Sequence, residues 1–126
     1  MDDDVQNLAN RLFTMAREGD ADTLEQYLDA GTPVNLCNHN GDTLLMLAAY
    51  HGHAKTVSAL IQHGADVDQT NDRGQTPLAG AVFKSEDAVV DALVRAGADP
   101  HAGTPSAIAT ATMFGRDDYL GHFGTK

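Results

Sequence analysis

The chain has 126 residues, 42% of them hydrophobic, and a net charge of -10, which fits one folded soluble domain and argues against a disordered chain or a phosphate-neutralising nucleic-acid binder. The acidity comes from fifteen Asp against three Glu and suits either a basic partner or plain solubility. Cys37 is the single cysteine, so no intrachain disulfide can form, and no apolar run approaches the length of a membrane span.

Met1-Asp2-Asp3-Asp4 reads as a frayed, acidic lead. It is opposite in charge to the basic start of a signal peptide, so a cytoplasmic location is expected. Val5, Leu8, Leu12, Phe13, Met15 and Ala16 recur at helical spacing and predict a first helix ending near Glu18-Gly19. Asp20 can cap a second helix over Ala21 to Ala30, with Leu24, Tyr27 and Leu28 inward and Gly31 as its stop. Thr32 to Asn40 is a turn-rich connection. Helices are then expected over Thr43 to His51 and His53 to His63, and over Thr76 to Lys84 and Glu86 to Ala96, with Ser85 as a cap. The last pair is expected near Ser106 to Phe114 and Asp117 to Phe123, with Ile108, Ala111, Leu120 and Phe123 in the core.

A shift of 33 residues brings these segments into register. Gly31, Gly64 and Gly97 align, as do Gly19 and Gly52, and Gly41 and Gly74. So do Leu12, Leu45 and Leu78, and Leu24, Val57 and Val90. Gly115 falls three residues short, which places a deletion in the turn between Gly97 and Ser106. Helices this short are marginal alone, so each needs a neighbour on both sides. The expected units are residues 5–40 as an N-terminal cap, 41–73, 74–103, and 104–126 as a degenerate C-terminal cap. The inward set of the best-formed unit is Leu45, Ala48, Ala49, Val57, Leu60 and Ile61.

Gly-Gln-Thr-Pro-Leu at 74–78, Ala48-Ala49, Gly52-His53, and Gly-Ala-Asp at 64–66 and 97–99 resemble the ankyrin repeat, over about Leu8 to Phe123. Thr43-Leu44-Leu45-Met46 departs from the family's Thr-Pro-Leu-His, and Ala79 stands where the family has His, which predicts loss of the motif's usual hydrogen bonds. The resemblance implies an all-α solenoid of about four helix-turn-helix units with short hairpin loops. It implies protein–protein recognition through a concave face and loop tips, without catalysis. Carried onto this sequence, the loop tips are Asn38, His39, Asn40, Asp42, Asn71, Asp72, Arg73 and Gln75. The helix ends are Arg17 and Glu18, Tyr50 and His51, Phe83 and Lys84, and Met113 and Phe114.

Tyr50, Phe83 and Met113 occupy equivalent positions, and His51, Lys84 and Phe114 follow them. Two rows on the concave face are expected, a plausible hot-spot strip. The competing expectation is that Phe83 and Phe114 tuck inward and leave only Tyr50 exposed. The six His show no metal-ligand spacing, and His53 fits a structural place at a turn. Cys37 has no activating base or second thiol beside it in sequence. Ser58, Ser85 and Ser106 lack a nucleophile-elbow context, and Glu86-Asp87 and Asp117-Asp118 sit at helix starts, where carboxylates favour the dipole. No catalytic residue, metal or cofactor is therefore expected.

The leading expectation is a stand-alone interaction module for a protein partner, monomeric or weakly self-associating, without membrane or nucleic acid. Its alternatives are an acidic regulator or inhibitor of a basic or nucleic-acid-binding protein, and an accessory protein that assists a partner enzyme. The second rests on a resemblance to small bacterial ankyrin proteins that assist enzymes such as a catalase.

Overall fold

Helices separated by turns, all but one of them glycine-bearing, make up the described chain. The computed structural model describes residues 2–124. Its helices are α1 (Asp2–Glu18), α2 (Ala21–Asp29), α3 (Leu44–Tyr50), α4 (Ala54–Gln62), α5 (Pro77–Phe83), α6 (Asp87–Arg95), α7 (Ala107–Met113) and α8 (Asp117–His122). A short polar residue starts each seven-residue helix. Thr43, Thr76 and Ser106 turn a side-chain oxygen onto the backbone N–H of Met46, Ala79 and Ala109, at 3.0, 3.1 and 3.0 Å. Each such bond satisfies one of the donors that a helix leaves open at its start. The cap bond thus survives the departure from Thr-Pro-Leu-His at 43–46.

Consecutive helices pair, α1 with α2, α3 with α4, α5 with α6 and α7 with α8. The odd-numbered helices form an inner layer, α1 against α3, α3 against α5, and α5 against α7. The outer layer runs α2 to α4 to α6. Helix α3 has neighbours on three sides, and all its residues from Leu44 to Ala49 are buried. Of its residues Tyr50 alone is not buried, and its apolar run is continuous instead of periodic. Leu12, Leu45 and Leu78 are buried at one equivalent position, and Leu24, Val57 and Val90 at another. Ile61 is only half-buried at the rim.

The long connections stack in the same register. They span 30–43, 63–76 and 96–106, so the third is three residues shorter (11 against 14), where the sequence placed the deletion. Asp72 donates its N–H to the Asn40 carbonyl at 3.0 Å, and Thr104 to that of Gly74 at 2.9 Å. Asn35 Oδ1 accepts from the Asp66 N–H, and Asp68 Oδ1 from that of Asp99, both at 2.8 Å. Among the described residues one isolated antiparallel bridge joins Cys37 with Thr43.

Three expectations change. Helix α1 begins at Asp2, not near Val5, because acidic residues suit the positive end of a helix dipole; Met1 lies outside the described residues. Ser85 is not the cap of α6, which is Glu86. Ser85 instead takes the left-handed turn, φ +58°, that Gly19 and Gly52 take at φ +80°, and its Oγ accepts from Arg116 Nη1 at 2.7 Å. In the last pair Tyr119 is the buried residue of α8, whereas Ile108, Leu120 and Phe123 are half-buried. Burial and a hydrogen bond to Asp87 push the Tyr119 hydroxyl up to about 12, so it stays protonated and donates to that carboxylate. The Arg116 guanidinium lies 4.0 Å from the Tyr119 ring centroid and holds the Asp118 carboxyl below its usual range.

Candidate partner-binding face

The last residue of α3, of α5 and of α7 is Tyr50, Phe83 and Met113, and each is followed by a capping residue, His51, Lys84 and Phe114. Each helix is about two turns long, and these residues stand at its C-terminal end. Phe83 is 56% exposed, Met113 71% and Phe114 52%. The tucked arrangement is therefore reversed: Phe83 and Phe114 stand out, while Tyr50 is half-buried. The Phe83 and Phe114 rings meet edge-to-face with centroids 5.7 Å apart, a favoured aromatic geometry. Tyr50 meets His51 edge-on at 5.6 Å and carries the Lys84 ammonium 5.0 Å above its ring, within cation–π range. Arg17 and Glu18 occupy the equivalent exposed end of α1.

Two grooves of about 210 and 250 Å³ meet at Tyr50 and Gln75. The first is lined by Ala79, Gly80, Phe83, Pro105 and Thr110, the second by Asp42, Met46, Leu47, His51 and Arg73. Gly80 was not among the predicted site residues. A Cβ there would lie 3.3 Å from Met46 Cε and 3.5 Å from Tyr50 Cδ1, so its missing side chain leaves the groove open beside the tyrosine. A glycine inside a helix costs about 1 kcal/mol relative to alanine, and that conflict with helix propensity was the signal available in the sequence.

The loop residues divide. His39, Asn40, Asp72 and Arg73 are exposed at the tips, and Asp42 and Gln75 are half-buried. Asn71 is not an outward residue. It is buried, donating to Asp42 Oδ1 at 2.8 Å and Gln75 Oε1 at 2.7 Å, and accepting from the N–H groups of Arg73 and Gln75 at 3.0 Å each. All four of its hydrogen-bonding positions are filled, so Asn71 fixes the loop. Asn38 does the equivalent work one unit earlier, its Oδ1 accepting from Asn40 and Asp42 at 2.9 and 3.0 Å.

His53 ties two units together, with Nε2 2.7 Å from the Arg17 carbonyl. A carbonyl only accepts, so that nitrogen carries the proton. His51 is held below its ordinary value by partial desolvation first, then by His53, Lys84 and Arg17, with Glu86 opposing. It is thus mostly neutral at pH 7. Among the described residues no three His, Cys, Asp or Glu side chains come together to hold a metal ion, and no helix is long and apolar enough to cross a membrane.

The family model for ankyrin repeats, in three copies, matches residues 12–104. The chain belongs to the ankyrin-repeat family. A stretch of 51 residues, 40% of this ankyrin-repeat chain, is 51% identical to ankyrin repeat protein PA3287 of Pseudomonas aeruginosa and spans 30% of that protein's length. Ankyrin repeats are generally protein–protein interaction modules, and the groove and its aromatic rim lie on the inner helices of this chain's own repeats.

Proposed function

We propose that this ankyrin-repeat chain captures a protein partner on the inner-helix face, with Tyr50, Phe83, Met113 and Phe114 as its apolar anchors. The helix-end residues Arg17, Glu18, His51 and Lys84 and the loop residues His39, Asn40, Asp42, Asp72, Arg73 and Gln75 frame that strip. The observation that carries the reading is the pair of exposed, edge-to-face rings Phe83 and Phe114 beside the open groove at Tyr50. Each exposed ring leaves apolar surface in water at about 25 cal/mol per Å², and buried aromatics are the usual anchors of interfaces.

The test is affinity capture from the source organism's lysate with mass spectrometry, wild type beside Phe83→Ser/Phe114→Ser. Both rings are more than half exposed, so the variant is expected to keep its helical circular dichroism and melting temperature. Loss of a specific partner with the fold intact supports the reading. Equal capture by both proteins sinks it.

A further inference from the structure

The cap residues of three outer helices reach backwards. His53, Glu86 and Arg116 start α4, α6 and α8, and none of their side chains bonds an N–H of its own helix. Each lies instead against the turn of the preceding unit. The His53 ring and the Glu86 carboxylate sit where a Cβ on Gly19 or on Gly52 would come within 2.5 Å of them. Arg116 meets Ser85, the one non-glycine residue of positive φ among the described residues. Its Nε and Nη2 donate to Asp118 at 3.1 and 2.9 Å, and Nη2 also lies 3.4 Å from Asp87. Nη1 is left for the Ser85 hydroxyl, at 2.7 Å.

A glycine at 85 would take this turn without strain. A residue held in a sparsely populated backbone region points to a job for its side chain, and here that side chain is the acceptor of Nη1. The two turns so joined carry the exposed aromatic pair. Phe83 stands two residues before Ser85, and Phe114 two residues before Arg116. Packing gives the rings little hold, since both are more than half exposed. The buried side chains of α7 are Ala107, Thr110 and Ala111, too small to form the deep ridges that lock one helix against another. A Cβ on Gly115 would meet nothing within 4 Å, so the turn between Phe114 and Arg116 is not wedged from outside.

Resting on the proposed inner-helix face, we infer that Ser85 is a positioning residue for that face: its hydroxyl, through Arg116, holds Phe83 and Phe114 together as one edge-to-face anchor. A partner then meets rings already set in place, and less ordering is lost on binding. The contacts of Arg116 and Tyr119 with Asp87 tie α8 to α6 in the outer layer, whereas Ser85 lies in a turn that carries a ring. Glycine suits the backbone of that turn best and serine holds the rings, so the two demands are separable by substitution.

Para-fluorophenylalanine is placed at Phe83, and separately at Phe114, in the full chain, and its fluorine NMR resonance reports the ring opposite. Ser85→Gly is expected to move both resonances toward the values seen when the opposite phenylalanine is replaced by leucine. Ser85→Asn, which tolerates the left-handed backbone and returns an acceptor oxygen, is expected to hold them at their wild-type values. In an Arg116→Gln background, Ser85→Gly is expected to move them no further. Unmoved resonances in Ser85→Gly overturn the inference and leave the face untouched. Resonances that move equally in Ser85→Asn overturn it too, because the hydroxyl bond is then not what holds the rings. Affinity is measured with the partner that Phe83→Ser/Phe114→Ser fails to capture. It is expected to fall about two- to tenfold in Ser85→Gly, since the loss cannot exceed the free energy of one exposed hydrogen bond, and to return in Ser85→Asn. Full affinity in Ser85→Gly with displaced rings overturns the positioning role while the face stands. If the serine pair loses no partner, the face falls and the role in binding with it, and the resonances still decide the clasp. Circular dichroism of each variant separates a displaced ring from a lost fold.

Discussion

Gly19→Ala tests how the units are joined. Gly19 turns the chain between α1 and α2 at φ +80°, and a Cβ there would sit 2.5 Å from Nδ1 of His53. The left-handed backbone costs an L-residue about 1–2 kcal/mol. The methyl also forces the His53 ring aside, breaking its 2.7 Å bond to the Arg17 carbonyl, a further ~0.5–1.5 kcal/mol. The expected loss is about 2–3 kcal/mol by urea denaturation, or roughly 6–12 °C in melting temperature for a domain of this size. Gly64→Ala is the control, because Gly64 has φ +91° and nothing within 4 Å of its Cβ position. It is expected to lose only the backbone part, about 1–2 kcal/mol. In a His53→Ala background, Gly19→Ala should fall to the control's cost. A Gly19→Ala cost equal to that of Gly64→Ala, or one indifferent to His53, would refute the idea that His53 seats on Gly19.

Two further predictions concern the outer layer. Thr56 Oγ1 is buried without a hydrogen-bond partner, and Val89, one unit on, is buried at the same position. Thr56→Val should therefore raise stability by about 1 kcal/mol, and a loss of stability in urea would show that the hydroxyl is satisfied. His63 lies between the Ala59 carbonyl and the Asp29 carboxylate, at 2.8 Å from each. Both partners only accept, so the doubly protonated ring suits the site, and the bond to Asp29, then that to Ala59, raise its pKa. The stabilisation is fully present below the unfolded value near 6.5 and fades as pH rises through the higher folded value. His63→Gln should thus cost more stability at pH 6 than at pH 8.5, and a pH-independent cost in thermal melts would contradict the pairing.

The register was legible because the same glycines and leucines recur at a fixed spacing, and spacing survives without any knowledge of contacts. The short third connection was legible for the same reason, since Gly115 arrives early. Burial was less so. Asn71 reads as a polar loop tip until the positions of Asp42 and Gln75 show that all four of its hydrogen bonds are filled. Ser85 reads as a cap because serine caps helices, but the register assigned it to the Gly52 turn, and register outweighs residue type there. Its hydroxyl bond to Arg116 offsets some of the cost of a left-handed serine. Tyr119 escaped notice because a tyrosine in a polar helix looks like a surface residue. Its burial depends on Asp87 of α6 and on Arg116, which caps its own helix, closing around the ring. At the site, the sequence named the rows of helix-end residues, whereas the outward stance of Phe83 and Phe114 and the space above Gly80 depend on packing between units.

The central claim is that partners meet the inner helices. It is tested most directly by placing the photo-crosslinker p-benzoylphenylalanine at Phe83, and separately at Ser58, which is exposed on α4 of the outer layer. After irradiation in lysate, a specific covalent adduct is expected from the position of Phe83 and none from that of Ser58. An adduct from Ser58 with none from Phe83 would contradict the account.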